Sequence, residues 1–188
     1  MLTKEQRQSI INHLRSPENE LRISEIAKTI AVECNNAGYS ISPEKIQETA
    51  LLMNIGETDE RISYIYNPSY NWKEHPEAVE LNKLHGQYSV EMADSLGITL
   101  SDEQRSAIIS HSEGKYSSTI AQIIKIAEIC SATEKPRYYR GEKKQPAENW
   151  PDVSAILEKE GVLDPAIIAL AGNSYGRKFT RKNWEKTK

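Results

Sequence analysis

Cysteine is almost missing from this chain of 188 residues: only Cys34 and Cys130 occur. Two cysteines make neither a disulfide framework nor a zinc motif. Both sit in apolar helical stretches, which suits reduced core residues. Long hydrophobic runs are also missing. None approaches the roughly 18 apolar residues of a membrane span, and the opening "MLTKEQRQSI" has no apolar stretch of signal-peptide type. No phosphate-binding glycine loop, HExxH, nucleophile elbow or cysteine-rich pattern is present. No segment alternates convincingly as a strand, and no internal repeat is found. These absences point to a cytoplasmic protein without a membrane partner or a locally written catalytic motif.

What the chain does contain is helical periodicity. Charged residues make up 27% and hydrophobic residues 38%, within the range of globular domains. Thr3 with Gln6 and Ser101 with Gln104 form capping boxes that predict helix starts. Ile23, Ile26, Ala27, Ile30, Ala31 and Cys34 recur at helical spacing and predict a helix over about 19–36. Ser42-Pro43 predicts another start, with Ile46, Ala50 and Met53 on one face and an end near Gly56. Residues 57–75 read as a polar connection dotted with aromatics. A helix from Pro76 to Gly97 is expected to turn Val79, Leu84, Tyr88 and Met92 inward. The most apolar helix falls at 118–133. Residues 136–150 read as a loop, and short helices follow near 151–160 and 165–172, with Gly172 as a stop. The expectation is an all-α, single-domain bundle: an N-terminal helix over 1–18, the helical domain over 19–172, and a tail over 173–188.

Charge is unevenly spread. The tail holds six Lys/Arg and one Glu, for +5, while the other 172 residues carry 18 − 26 = −8. Such a tail can neutralise phosphates, and Tyr175, Phe179 and Trp184 could stack on bases. A solvated terminus is the favoured reading, so nucleic acid is a possible but disfavoured partner. The acidic "GETDE" at 56–60 reads as a solvated loop, with a hard cation as the alternative. His13 and His75 read as surface residues. Spacing alone leaves Glu128 facing solvent or bridged to Lys125; buried, it would need a partner.

Several strings together resemble the HD superfamily of metal-dependent phosphohydrolases, in particular its HD-GYP branch. "TALLMNIGE" (49–57) is similar to that family's AALLHDIGK, and His85 of "HGQYS" to its H-x-x-x-G histidine. "HSE" (111–113) is similar to HHE, "AEICSATEKPRYYR" (127–140) to ADxxDALTSDRPYR, and "GVLDP" (161–165) to G-x-x-FDP. The resemblance runs in order over about 19–172. It implies an HD-like helical bundle whose metal site has been rewritten. Met53-Asn54 stands for the defining His-Asp pair, Asn19 and Ser112 for histidines, and Glu128 for the last aspartate. Only His85 and His111 keep the family's residue, and the GYP string is absent. A thioether and neutral amides are poor ligands for iron, manganese or magnesium. Losing the aspartate charge also removes attraction for a divalent ion and a base for its water. Glu57 replaces the phosphate-meeting lysine of HDIGK and reverses its sign.

The resemblance thus implies a protein with no cofactor, silent or impaired in catalysis. It would act as a regulatory or adaptor module in bacterial-type signalling, its oligomeric state open. Arg137, Tyr138, Tyr139 and Arg140 are its candidate contacts to a protein partner. The alternative is an atypical phosphohydrolase holding one divalent metal (Fe, Mn or Mg) with His85, His111 and Glu128, helped by Glu113. In either case Glu128 is expected in the interior, near the two histidines.

Overall fold

A computed structural model of the chain describes residues 2–134, 137–139, 142–144 and 146–178. The fold is all-α apart from one short hairpin. Nine helices are described: α1 Lys4–His13, α2 Pro17–Asn36, α3 Pro43–Leu52, α4 Glu77–Asn82, α5 His85–Ser95, α6 Asp102–Ser112, α7 Thr119–Glu134, α8 Trp150–Lys159 and α9 Pro165–Lys178. Two 3₁₀ turns, Ile55–Thr58 and Ser63–Tyr66, follow α3. No described helix is long and apolar enough to cross a membrane.

Local chemistry explains the helix starts. Both predicted capping boxes form, with Thr3 and Ser101 accepting from the amides of Gln6 and Gln104. Ser42 caps α3 through the Lys45 amide at 3.3 Å. A third box that the sequence reading missed, Asn149 with Asp152, opens α8. Gly97 ends α5 at φ 67°, a left-handed position that glycine reaches without steric cost.

Contacts divide the chain into two units: Met1–Leu21 with Glu48–Ala121, and Arg22–Gln47 with Gln122–Lys188. Each unit draws on two separated segments of the chain. In the first unit Ile10, Leu14, Leu52, Ile55, Val90, Ala93 and Ile108 belong to one apolar cluster. In the second, the Glu134 carboxylate accepts both Nε and Nη2 of Arg22, at 3.0 and 2.8 Å. The buried Tyr175 donates its hydroxyl to Glu134 at 2.9 Å and lies 3.1 Å from the Cys130 carbonyl oxygen. Cys34 and Cys130 are buried and free, as expected.

Three local expectations are corrected. The helix expected from Pro76 to Gly97 is broken at Lys83–Leu84 into α4 and α5. Val79 and Leu84 are then exposed, and the inward face of α5 is His85, Gly86, Ser89, Val90 and Ala93. Small side chains are favoured there because the Ile55–Thr58 turn lies against this face: a Cβ on Gly56 would run into the backbone of His85 and Ser89. Secondly, Gly172 does not stop α9. The helix passes through it, and the missing Cβ atoms of Gly172 and Gly176 give Trp150 a flat surface to pack on. Thirdly, part of the expected 136–150 loop is an antiparallel hairpin, β1 Arg137–Tyr139 with β2 Glu142–Lys144, Tyr138 opposite Lys143.

Candidate functional site

The turn after α3 sets the geometry of the first unit's polar centre. Met53 is fully buried, so its thioether is a core side chain. Its carbonyl accepts from Ser89 Oγ at 2.8 Å, and the same hydroxyl accepts the Gly56 amide at 2.9 Å. Ser89 thus pins both ends of the turn to α5, one helical turn beyond His85. Between them Asn54 sits at φ −114°, ψ 7°, in the sparsely allowed bridge region. That conformation directs its side chain to two partners. Asn54 Nδ2 donates to Glu20 Oε2 at 3.1 Å, and its Oδ1 lies 3.3 Å from His111 Nε2. With the amide so oriented, His111 Nε2 is the donor. Asn19 Nδ2 adds a 3.3 Å hydrogen bond to Glu20 Oε1. Glu20 is buried, and these amide donors help satisfy a carboxylate that would otherwise be costly there.

His85 opens α5, and its ring lies 5.3 Å from that of His111, edge to face. His85 Nδ1 donates to the Asn82 carbonyl at 2.5 Å. That bond fixes the tautomer and leaves a lone pair on Nε2. Nε2 is buried and makes no hydrogen bond among the described residues. Burial, with the neighbouring His111 adding to it, pushes the His85 pKa down to about 4, so the ring is neutral at physiological pH.

The remaining candidates of this unit have other partners. Ser112 turns its hydroxyl to the carbonyl of Lys83 at 2.7 Å and of Ile109 at 2.8 Å, and so holds the α4–α5 break. Glu57 faces Arg15 at 3.8 Å and adds to the burial that raises the Tyr66 phenol. Glu113 pairs with Lys115 at 2.9 Å. The structure therefore brings Asn19 and Asn54 to Glu20, and through Asn54 links it to His111 and the neighbouring His85; nothing in the spacing of the motifs points to Glu20. The signal lies in the helix instead: Glu20 falls in helical register with Ile23, Ala27 and Ile30 on the apolar stripe of α2.

Glu128 belongs to the second unit. It is half-buried, its Oε2 is 3.9 Å from Lys125 Nζ, and burial raises its pKa to about 7, with Lys125 opposing and Glu160 reinforcing the rise. Of the partner-contact candidates, Arg137, Tyr138 and Tyr139 form β1, while Arg140 lies outside the described residues. Of the three aromatics that could stack on bases, Tyr175 is buried and is corrected to a core residue; Phe179 and Trp184 lie outside the described residues.

The sulfur of Met53 is in the core, the oxygen of Asn54 faces a donating His111, and the uncommitted lone pair of His85 Nε2 is a single donor. Among the described residues no three His, Cys, Asp or Glu side chains are grouped to hold a metal ion. What the arrangement does offer is a rigid, hydrogen-bonded polar centre inside an apolar unit. Compared with protein families, curated proteins and solved structures, the chain matches none.

Proposed function

We propose that the chain is a degenerate HD-superfamily protein of the HD-GYP type that has exchanged hydrolysis for binding. In this reading it serves as a regulatory or adaptor module in bacterial-type cytoplasmic signalling. The observation that carries the reading is the bridge of Asn54 between Glu20 and His111. The resemblance assigns positions 54 and 111 to metal ligands, and here the same side chains are spent on each other. An amide linking a carboxylate to an imidazole replaces the cross-link a metal would provide, without the charge that would recruit one. Glu57, an anion paired with Arg15 where the resembled family carries a lysine, further disfavours a phosphate substrate. The protein partner is reached through the hairpin strand Arg137–Tyr139 and Arg140, whose residue types often carry interface energy.

One observation favours a second reading, an HD phosphohydrolase with an atypical metal site: the uncommitted Nε2 of His85 beside the ring of His111. Elemental analysis of protein purified without chelator, run beside assays with cyclic dinucleotides and a generic phosphodiester, separates the two. The adaptor reading expects no near-equimolar iron, manganese or zinc and no turnover above background. Turnover that disappears in His111→Ala establishes the second reading. Loss of partner capture in Tyr138→Ala/Arg140→Ala, with an unchanged melting temperature, tests the hairpin.

A further inference from the structure

The connection from Glu57 to Pro76 is long for a segment without an α-helix, and such segments inside compact units are commonly binding elements. It is also held in shape. Trp72 Nε1 donates to the Ile65 carbonyl at 2.7 Å, and Tyr66 donates to Asn82 Oδ1 at 2.7 Å, tying the segment to α4. Tyr70 lies edge-on to Tyr64 at 5.7 Å and stacks on His75 at 4.8 Å. Despite that order, the aromatics are not put away. Tyr64 is 49% exposed and Trp72 36%, and Val79 and Leu84 just beyond them are exposed as well. Ordered aromatic rings left in water are what an interface anchor looks like, because little entropy remains to be lost on binding.

The charge around these rings selects the partner. Residues 57–80 carry six carboxylates and two Lys/Arg, and Arg15 and Lys83 from outside the segment pair with Glu57 and Glu80, which leaves a net −2. That sign repels nucleic acid and anionic membranes. Glu60 and Glu74 lie exposed in this segment, and Glu74 accepts only a neutral amide, from Asn71, among its described hydrogen bonds. The same unit already stacks guanidinium groups on tyrosine faces: Arg15 lies 5.2 Å from the Tyr66 centroid and Arg61 3.7 Å from that of Tyr88. Tyr64, 49% exposed, is a further tyrosine ring of the same unit that water reaches.

We propose that the segment carrying Tyr64, Tyr70 and Trp72 is a docking surface for an arginine-bearing segment of a partner protein, with the guanidinium on Tyr64 and its charge answered by Glu60 and Glu74. This surface uses no residue of the hairpin and stands whether or not the polar centre ever held a metal. The test uses the full chain, labelled with ¹⁵N, and the peptide acetyl-Arg-Leu-Arg-Leu-Arg-amide, beside its citrulline counterpart, which keeps the shape and loses the charge. Saturable shifts centred on Tyr64, Tyr70 and the Trp72 indole are expected with the arginine peptide. Affinity should fall roughly tenfold or more with citrulline and in Tyr64→Ser/Glu74→Lys. Both substitutions are at exposed positions, and an unchanged amide spectrum elsewhere verifies that the variant is folded. Equal binding of the two peptides, shifts centred elsewhere, absence of binding, or self-association through these residues each overturns the proposal.

Discussion

The side-chain amide of Asn54 donates to the buried carboxylate of Glu20 at 3.1 Å while its oxygen faces His111 at 3.3 Å. One neutral group thus satisfies an anion on one side and an imidazole on the other. Asn54→Asp keeps the shape and replaces the donor with a second carboxylate. At pH 7 the variant should lose about 3 kcal/mol, the scale of an uncompensated buried charge. Two carboxylates in one site raise the folded pKa of one of them above its unfolded value near 4. The penalty is therefore absent below about pH 4 and grows as pH rises through the folded pKa. Urea melts of parent and variant at pH 4 and 7 measure it. Equal stability at pH 7 would show that the amide is not the link. Millimolar manganese should raise the melting temperature of the variant and leave that of the parent unchanged, because the introduced carboxylate restores a charged oxygen ligand beside Glu20 and His111.

His85 gives the protein an acid-sensitive element. Its pKa is lowered from the ordinary 6.5 to about 4, so the native state takes up its proton later than the unfolded state does. Stability from this group is complete above pH 6.5 and is lost as pH falls toward 4, by about 3 kcal/mol. The imidazole C–H resonances of His85 should titrate with a midpoint near 4. In His85→Leu the fall of stability between pH 6.5 and 4 should be shallower than in the parent. A midpoint near 6.5 would show that the ring is not desolvated as described.

The helices were legible because their signals are local. Thr3 with Gln6, Ser101 with Gln104 and Ser42 before Pro43 each write a start into a few residues. The break between α4 and α5 was not legible. The bond that holds it comes from Ser112, on another helix, and nothing near Lys83 announces it. Gly172 misled for a related reason: glycine marks a helix stop only when its backbone turns left-handed, and here its missing side chain serves Trp150 instead. In the polar centre, Asn54, His85 and His111 stand out in the sequence as polar residues on otherwise apolar helices. Glu20 could have been found from its register on α2. The pairing of Glu20 with Asn54 could not, because 34 residues separate them in the chain.

Gly56 tests how tightly the turn after α3 is seated. A Cβ there would meet the backbone of both His85 and Ser89, which cannot rotate away. Gly56→Ala should therefore cost about 3 kcal/mol and displace His85, visible as a change in its titration midpoint. Gly97→Ala is the comparison. Gly97 has φ +67° with nothing within 4 Å of an added Cβ, so only backbone strain of about 1 kcal/mol is expected. If the two variants melted alike, the packing of Gly56 against α5 would have to be looser than described.

Tyr175 ties α9 into the second unit. It is buried, bonds Glu134 at 2.9 Å, and shares that carboxylate with Arg22. Tyr175→Phe keeps the ring and removes a hydroxyl donor to a charged acceptor, at a cost of about 1–2 kcal/mol. Tyr175→Ser removes the ring as well and should cost about 4 kcal/mol. Ending the chain after Gly172 deletes the same anchor, so it should lose at least as much, although the residues removed read in sequence as a polar tail. Urea denaturation of all three against the parent decides between anchor and tail. Parent-like melting of the shortened chain would make the segment dispensable. Loss in the shortened chain with little loss in Tyr175→Ser would move the anchor elsewhere in the deleted segment. Matching losses in both place it at Tyr175.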